Sequence, residues 1–393
     1  MLTLTILFWL CLFIVFYTYL GYGMLLYLII RLKRLVKGRA KTTAMPTDDE
    51  LPTMTLMICA YNEQDIVAEK MQNTRALDYP KDKFRVMWVT DGTTDNTNEL
   101  LKAYPEVDLV FSPERKGKTA ALKHGLSEVK TELVAFTDAN TMINSGAMRE
   151  IARQFKDETV GCVSGEKRVA SRHGEMAAEG EGLYWRYEST LKKWDSELYS
   201  TMGAAGELYA IRPELCREVP DNALLDDFMM SMLIVDEGRR IAYAPEAYAL
   251  EYGSANLAEE SKRKRRIAAG GLQSIWWLRR MLNPLRQPLV AFQYISHRVL
   301  RWSITPIALV MLLLINILLV CAGAGLVYTI FLVLQAAFYL AAFSGWVLSK
   351  YGHRNKLLYT AYYFLFMNLN VFQGMAYLKS HSHSGAWEKA KRS

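Results

Sequence analysis

The sequence predicts an α/β domain with a mostly parallel sheet, carried between membrane-spanning helices at the two ends of the chain. The mean hydropathy of the 393 residues is +0.02, higher than a soluble enzyme usually shows and lower than a bundle of membrane helices shows. Long apolar runs lie at both ends of the chain, and short apolar runs alternate with amphipathic stretches between residues 53 and 287. A mixture of membrane segments and one globular domain accounts for these observations.

An apolar run lies at the start of the sequence. Residues 2–30 carry no charge, and roughly 20 apolar residues suffice to cross a bilayer. The basic residues that follow the run are Arg31, Lys33, Arg34, Lys37, Arg39 and Lys41. Because basic flanks stay in the cytoplasm, we expect a transmembrane helix at 1–31, a basic cytoplasmic linker at 32–52 and a cytoplasmic domain after it.

The last quarter of the sequence is apolar again. Residues 288–302 mix aromatic side chains with His297, Arg298 and Arg301, a composition typical of an interfacial amphipathic helix. About three transmembrane helices are predicted within 303–378, followed by a basic tail at 379–393. These features predict a multi-pass protein of the cell membrane, inner or plasma, and leave open on which side the tail lies.

The globular domain at 53–287 alternates strand and helix patterns. Strands are predicted at 54–59, 84–90, 107–111 and 132–137. Helices are predicted after them, at 64–76, 96–103, 118–129 and 145–155. This alternation predicts a mostly parallel sheet with helices on both faces, and such sheets bind ligands beyond the carboxyl ends of their strands.

Polar segments follow three of the predicted strands. They are Ala60-Tyr61-Asn62-Glu63, Asp91-Gly92 with Asp95-Asn96-Thr97, and Asp138-Ala139-Asn140. Each segment alone is typical of a turn or a helix cap, since Asp, Asn, Thr and Gly favour such positions. Three acidic strand ends at one edge of a sheet favour a shared polar site instead.

A basic segment lies before the third predicted helix. It reads Arg115-Lys116-Gly117-Lys118-Thr119, but Ser112 stands where a phosphate-binding P-loop needs glycine, so that motif is excluded. A glycine with two lysines at a helix start still favours binding of an anion. The alternative is a solvated basic turn.

These motifs, in this order, resemble family 2 glycosyltransferases of the GT-A fold. The resemblance covers about residues 54–273 and is greatest to the membrane-embedded branch of hyaluronan, chitin, cellulose and poly-N-acetylglucosamine synthases. Gly206-Glu207-Leu208-Tyr209 is similar to the acceptor-side segment of the family. Leu225-Asp226-Asp227 stands at the usual Thr-Glu-Asp, and Arg263-Lys264-Arg265-Arg266-Ile267 at the Gln-x-x-Arg-Trp of processive members.

The resemblance implies a role for each matching residue. It implies catalytic roles for Asp227, Asp138 and Arg266, with Asp138 and Asn140 as ligands of Mg²⁺ or Mn²⁺. It implies contacts with the nucleotide sugar or the acceptor at Ala60, Tyr61, Glu63, Asp91, Lys116, Lys118, Asp138, Ala139, Gly206, Glu207, Asp226 and Arg263. The donor nucleotide most common in this branch is UDP, and the acceptor is a glycan or a lipid-linked group.

The chemistry of sugar transfer agrees with these residue types. The leaving diphosphate needs neutralising charge, and the acceptor hydroxyl needs a base. The resemblance implies that Asp227 is the base, since the catalytic carboxylate of the family is the second of the pair; Asp227 also opens a predicted helix, whose dipole favours the ionised form. One base without a separate nucleophile implies a single displacement with inversion. Ile267 replaces the Trp of processive members, so the choice between polymerisation and single addition stays open.

Other classes of protein are weaker interpretations. A non-catalytic, glycosyltransferase-like membrane scaffold of a glycan-assembly complex is the principal alternative, although it gives no reason to retain Asp91, Asp138 and Asp227. A transporter would place charge pairs or repeats within its spans, and the sequence has neither. The net charge of +7 does not indicate a nucleic-acid partner, because the basic run at 262–266 lacks interleaved aromatic residues.

Overall fold

The computed structural model describes residues 1–38, 43–170, 177–252, 257–351, 353 and 355–380. Residues 39–42 of the predicted linker and the predicted tail beyond residue 380 lie outside this part of the chain. Internal contacts divide the protein into two compact units. We name them the helical unit, the described residues of 1–31, 171–188 and 256–380, and the sheet unit, the described residues of 32–170 and 189–255.

The sheet unit contains one eight-stranded sheet. Its strands are β1 (Met54–Ala60), β2 (Phe84–Asp91), β3 (Val107–Ser112), β4 (Leu133–Asp138), β5 (Met142–Ile143), β6 (Val160–Ala170), β7 (Leu208–Ile211) and β8 (Arg240–Tyr252). Their order is β3-β2-β1-β4-β7-β6-β8-β5. The first four strands pair in parallel as predicted, whereas β7 and β5 pair antiparallel to their neighbours.

The helices lie close to the predicted positions. In chain order they are α1 (Leu2–Phe16), α2 (Tyr22–Lys37), α3 (Val67–Arg75), α4 (Thr97–Leu101), α5 (Lys118–Glu128), α6 (Ala147–Gln154), α7 (Ala177–Leu198), α8 (Asp226–Asp236), α9 (Leu257–Trp277), α10 (Pro288–Tyr294), α11 (Leu300–Trp302), α12 (Ile304–Cys321), α13 (Leu326–Lys350) and α14 (Lys356–Ser380). Two π-helical turns, Tyr17–Gly21 and Ile295–Val299, join α1 to α2 and α10 to α11.

Helices cover both faces of the sheet, as the alternation of elements predicts. On one face Leu56 and Trp88 are fully buried, and the Trp88 indole N–H lies 3.3 Å from the sulfur of Met71 on α3. On the other face α5 approaches closely, because a Cβ at Gly125 would lie 2.7 Å from the side chain of Val89. Since both faces are covered, the carboxyl edge of the strands is where a ligand can meet the sheet.

Three helices among the described residues are long and apolar enough to span a membrane: Leu2–Lys37, Ile304–Cys321 and Leu326–Lys350. The first runs through its π-turn and beyond the predicted end at residue 31. The predicted third C-terminal span is helical, as α14, but is not among the three. Its Asn368 accepts a hydrogen bond from Tyr19 at 2.7 Å, and its Gly374 packs against Ala268 of α9. Polar side chains that bond to neighbouring helices lower the hydropathy of α14.

The two π-turns carry polar groups that join helices within the helical unit. The hydroxyls of Tyr17 and Ser296 are hydrogen-bonded at 2.8 Å, and those of Thr18 and Thr305 at 2.8 Å. The carbonyl of Tyr19 accepts a hydrogen bond from the hydroxyl of Tyr187, also at 2.8 Å. π-Turns disturb the regular hydrogen-bond ladder of a helix, and they often mark functional segments.

A buried carboxylate joins α7 to the helical segment 295–302. Glu188 lies 2.7 Å from guanidinium nitrogens of both Arg298 and Arg301, and 3.2 Å from His297. Burial alone would raise the pKa of Glu188, but the two arginines and His297 hold it well below its usual value. Glu188 is therefore a fixed anion that ties these helices together.

Candidate active site

The carboxyl ends of β1, β2 and β4 bring three of the predicted polar segments to one edge. Ala60 lies opposite Thr90, the residue before Asp91, and Cys59 lies opposite Asp138. Parallel strands in register end at the same level, so Ala60, Asp91 and Asp138 are neighbours although nearly eighty positions of sequence separate the first from the last. The predicted convergence of acidic strand ends is therefore confirmed.

The turn after β1 is fastened to the segment after β2. Asn62 adopts a left-handed conformation (φ 51°), and its side-chain carbonyl accepts a hydrogen bond from the backbone N–H of Thr94 at 2.9 Å. The Thr97 hydroxyl accepts a hydrogen bond from the backbone N–H of Glu63 at 2.9 Å. The guanidinium of Arg115 lies over the ring of Tyr61 at 3.9 Å. These bonds hold Tyr61 and Glu63 beside the ends of β1 and β2.

Asp91 shapes the loop that precedes α5. Its carboxylate accepts hydrogen bonds from the backbone N–H of Lys116 at 2.9 Å and of Gly117 at 2.7 Å. The loop comes so close that a Cβ at Gly92 (φ 62°) would lie 2.5 Å from the backbone nitrogen of Arg115. Asp91 thus orients the loop at Lys116 and Gly117, just before α5, and its predicted contact with the nucleoside stays a prediction. Lys116 points its ammonium outward, 3.6 Å from Glu114.

Lys118, at the first turn of α5, reaches two carboxylates. Its ammonium lies 2.9 Å from Asp138 Oδ1 and 3.9 Å from Asp226 Oδ2. Burial alone would lower the pKa of Lys118, but the carboxylates of Asp138 and Asp226 raise it above its usual value. The ammonium is therefore permanently charged and joins the end of β4 to the start of α8.

Asp226 and Asp227 form the first turn of α8. The Asp227 carboxylate accepts the backbone N–H of Phe228 at 2.8 Å, and its other oxygen would lie 2.6 Å from a Cβ at Gly206. Burial and the neighbouring Asp226 carboxylate raise the pKa of Asp227 to about 7, against the opposing effect of Lys118. A carboxylate with this pKa is suited to accept a proton at neutral pH.

Two buried lysines support this site, and sequence reasoning missed both. Lys70, fully buried on α3, donates a hydrogen bond to the backbone carbonyl of Thr141 at 2.6 Å, beneath the turn that follows Asp138. Burial lowers the pKa of Lys70 to about 7, although Asp138 opposes the shift. Lys167 of β6 pairs with both Glu207 and Glu251. A lysine in an amphipathic sequence pattern is expected to be exposed to solvent, so only the packing shows that Lys70 and Lys167 are buried.

Thr137 connects the Asp138 turn to the segment that contains Gly206. Its hydroxyl is hydrogen-bonded to that of Thr141 at 2.8 Å and donates to the backbone carbonyl of Glu207 at 2.9 Å. Glu207 is thereby held from two sides, by its backbone at Thr137 and by its carboxylate at Lys167.

A comparison with protein families identifies the family of the chain. Residues 52–270, more than half of the chain, match the family model described as glycosyltransferase like family 2. The chain belongs to this family. The resemblance deduced from the ordered motifs is therefore confirmed at the level of the family.

Two curated glycosyltransferases illustrate the similarity. The chain is 26% identical over 230 residues to poly-beta-1,6-N-acetyl-D-glucosamine synthase of Staphylococcus aureus (strain MSSA476), a match covering 57% of this chain and 55% of that protein. It is 27% identical over 164 residues to beta-monoglucosyldiacylglycerol synthase of Nostoc sp. (strain PCC 7120), covering 40% of this chain and 34% of that protein. The matches thus span about half or less of these relatives.

A solved glycosyltransferase has a similar fold. Mannosyltransferase PcManGT from Pyrobaculum calidifontis, determined in complex with GDP-Man and Mn²⁺, superimposes with a TM-score of 0.70 and 24% identity, over 94% of this chain and 98% of that one. At this level of identity the likeness shows the fold alone. The predicted GT-A fold class, with apolar helices at both ends, is confirmed.

The residues at this edge of the sheet fit a divalent cation whose coordination would be completed by oxygens of a substrate. Among the described residues no three His, Cys, Asp or Glu side chains come together as a metal cage. In the same part of the chain, Asp226 Oδ2 is buried without a hydrogen-bond partner, close to the ammonium that contacts Asp138. Hard cations prefer carboxylate and amide oxygens, and Mg²⁺ in particular takes one or two carboxylates plus phosphate oxygens. Asp138, together with Asn140 two residues further on, would supply the protein ligands of such an ion, and phosphate oxygens would supply the others.

The remaining predicted site residues lie in two places. Ala139 is buried behind the Asp138 turn. Arg263 and Arg266 lie on α9, in the helical unit, where Glu260 pairs with Lys264 at 3.3 Å and with Arg263 at 3.9 Å. Their predicted contact with the diphosphate stays a prediction.

Proposed function

We propose that this protein is a membrane-bound, metal-dependent, inverting glycosyltransferase of cell-surface glycan synthesis, acting at the cytoplasmic face of the cell membrane. It would move a sugar from a nucleotide sugar, expected to be UDP-linked, to a glycan or lipid-linked acceptor. The observation that carries the proposal is the convergence of Lys118, Asp138, Asp226 and Asp227 at the carboxyl edge of the sheet. Family membership supports the reaction class, and the charges of these four residues support the mechanism.

Asp227 is the proposed base. The acceptor oxygen attacks the anomeric carbon while its proton passes to a carboxylate oxygen of Asp227. The bond from that carbon to the diphosphate breaks, and the diphosphate leaves with the electron pair. Burial favours this role because it raises the pKa of Asp227 and makes the carboxylate a stronger base. A single displacement inverts the configuration of the sugar.

Lys118 and Asp138 are proposed to stabilise the negative charge that develops on the leaving diphosphate, Lys118 directly and Asp138 by holding a divalent ion. Asp138 and Asn140 would hold Mg²⁺ or Mn²⁺, which supplies neutralising charge when bound. Lys118 starts α5, whose N-terminus favours anions, and Asp91 holds the loop before it through the backbone N–H groups of Lys116 and Gly117. Glu63, Tyr61 and Ala60 line the same edge, where the nucleoside would bind.

The test is transfer by the purified full chain in lipid nanodiscs. A panel of UDP- and GDP-linked sugars is supplied with Mn²⁺, nucleoside diphosphate release is measured, and products are analysed by mass. We expect release from one donor, abolished in Asp227→Asn, which should still bind that donor. If nucleoside diphosphate is released only from a GDP-sugar, the expected donor nucleotide is wrong and the proposed mechanism is unaffected. Full turnover by Asp227→Asn would contradict the assignment of the base.

The principal alternative is a non-catalytic, glycosyltransferase-like scaffold subunit. It predicts binding of a nucleotide sugar without release from any donor, in the presence of either Mg²⁺ or Mn²⁺. The raised pKa of Asp227 argues against it, because a scaffold gains nothing from a buried carboxylate whose charged form is disfavoured.

A further inference from the structure

Lys118 occupies a position that a cation could otherwise take. Its ammonium lies 2.9 Å from Asp138 Oδ1, and Asp226 Oδ2, at 3.9 Å, is a buried oxygen without a hydrogen-bond partner among the described residues. The ammonium of Lys118 therefore pairs with both carboxylates. A carboxylate of this pair, Asp138, is also the residue proposed to hold the divalent ion.

The backbone of Lys118 is fixed while its side chain is able to move. Asp91 accepts hydrogen bonds from the backbone N–H groups of Lys116 and Gly117, the two residues before Lys118. Gly117 adopts a positive φ of 97°, which allows the chain to turn into α5. The lysine side chain itself is about one-quarter exposed (24%) and is attached through four rotatable methylenes. Swinging the ammonium toward a bound diphosphate requires no change in the helix.

We propose that Lys118 acts as a built-in counter-ion, which occupies the cation position of the donor-free protein and competes with the divalent ion for Asp138. When the nucleotide sugar binds, the ammonium moves to the diphosphate and releases Asp138 to the metal. The inference rests on the proposed function and extends it, because it makes the binding of metal and donor cooperative. Metal alone binds weakly, since two positive charges repel each other at one carboxylate.

The experiment measures Mn²⁺ affinity directly, by the electron paramagnetic resonance signal of free Mn²⁺, with the full chain in nanodiscs. Wild type, Lys118→Met, Lys118→Gln and the charge-retaining Lys118→Arg are compared with and without UDP or GDP. Without nucleotide, we expect the Met and Gln variants to bind Mn²⁺ about tenfold more tightly than wild type, within the usual range of coupling between two sites. The Arg variant should remain like wild type.

Nucleotide provides the second measurement. In wild type, UDP or GDP should raise Mn²⁺ affinity by more than it does in Lys118→Met, because the variant has no ammonium to displace. Thermal unfolding is used to check that both neutral variants are folded. If the folded variants then bind Mn²⁺ as tightly as wild type or more weakly, the inference is overturned and the proposed function stays intact. Absence of Mn²⁺ binding by every form, even with nucleotide, overturns both.

Discussion

At the scale of single residues, the candidate site is controlled by how charges are buried together. The ammonium of Lys118 pairs with the carboxylates of Asp138 and Asp226. At Asp227, the next residue, burial and the neighbouring Asp226 carboxylate raise the pKa to about 7. The ion pairs of Lys118 and the burial of Asp227 both depend on tertiary packing, which the local sequence Asp226-Asp227 does not show.

The raised pKa of Asp227 predicts the pH dependence of transfer. The ionised form accepts the proton, so kcat should rise with pH through about 7 and level off above it. The measurement is kcat at saturating donor and acceptor across this interval, with Mn²⁺ held constant. Asp227→Glu, which retains a carboxylate at altered reach, should show a lower plateau and a shifted midpoint. A wild-type profile that falls as pH rises through 7 would contradict the assignment.

Gly206 provides a second prediction at this scale. A Cβ there would lie 2.6 Å from Asp227 Oδ2, so Gly206→Ala should displace the carboxylate and lower kcat, by about tenfold or more for a misplacement of this size. Fold stability should change little, since the neighbour that must shift is a side chain. Gly146→Ala is the matched control, because no atom lies within 4 Å of the Cβ that it introduces. Equal kcat in the two variants would refute the argument.

At the scale of elements, buried polar contacts hold the helices of the helical unit together. The π-turn at Tyr17–Gly21 presents hydroxyl and carbonyl groups that meet Ser296, Thr305 and Tyr187. Glu188 adds an ionic contact between α7 and the segment 295–302. Such contacts specify which helices pair, because an apolar surface alone does not choose its partner in lipid.

Loss of the Glu188 carboxylate should destabilise the helical unit. Removing one partner of a buried ion pair leaves uncompensated charge, and Glu188→Gln would leave Arg298 and Arg301 without their shared anion, at a cost of about 3–5 kcal/mol. The loss of stability is measured by unfolding the protein in detergent while monitoring its circular dichroism. Glu99→Gln is the control: its pair with Lys102 is exposed and contributes about 1 kcal/mol at most. Equal stability of the two variants would contradict the role of Glu188.

At the scale of the whole molecule, the apolar helices and the basic residues between positions 31 and 41 predict the orientation in the membrane. The expected cytoplasmic position of the sheet unit places Glu99 inside and the turn after α12, at Ala322, outside. Nucleotide sugars are soluble anions, so the proposed function requires the sheet unit to face the compartment that contains them.

Labelling of introduced cysteines tests this orientation. With a membrane-impermeant thiol reagent, Glu99→Cys should react in inverted vesicles and Ala322→Cys in right-side-out vesicles, since both positions are exposed to solvent or to the membrane surface. Of the native cysteines, burial raises the pKa of Cys59 to about 12, so its thiol should stay unreactive at neutral pH. The opposite labelling pattern would invert the proposed topology.

The sequence alone was enough to predict the family and the four parallel strands, and it singles out Asp138, Lys118 and Asp227 as candidate site residues. These follow from local patterns: apolar runs that end at acidic residues, and motifs in a recognisable order. Only the packing shows that Asp91 binds the loop before α5, that Lys70 and Lys167 are buried, and that Lys118 contacts Asp226. These contacts join residues that are far apart along the chain. Lys118 begins α5 and Asp226 begins α8, and no local periodicity encodes an attraction between charges so far apart in sequence.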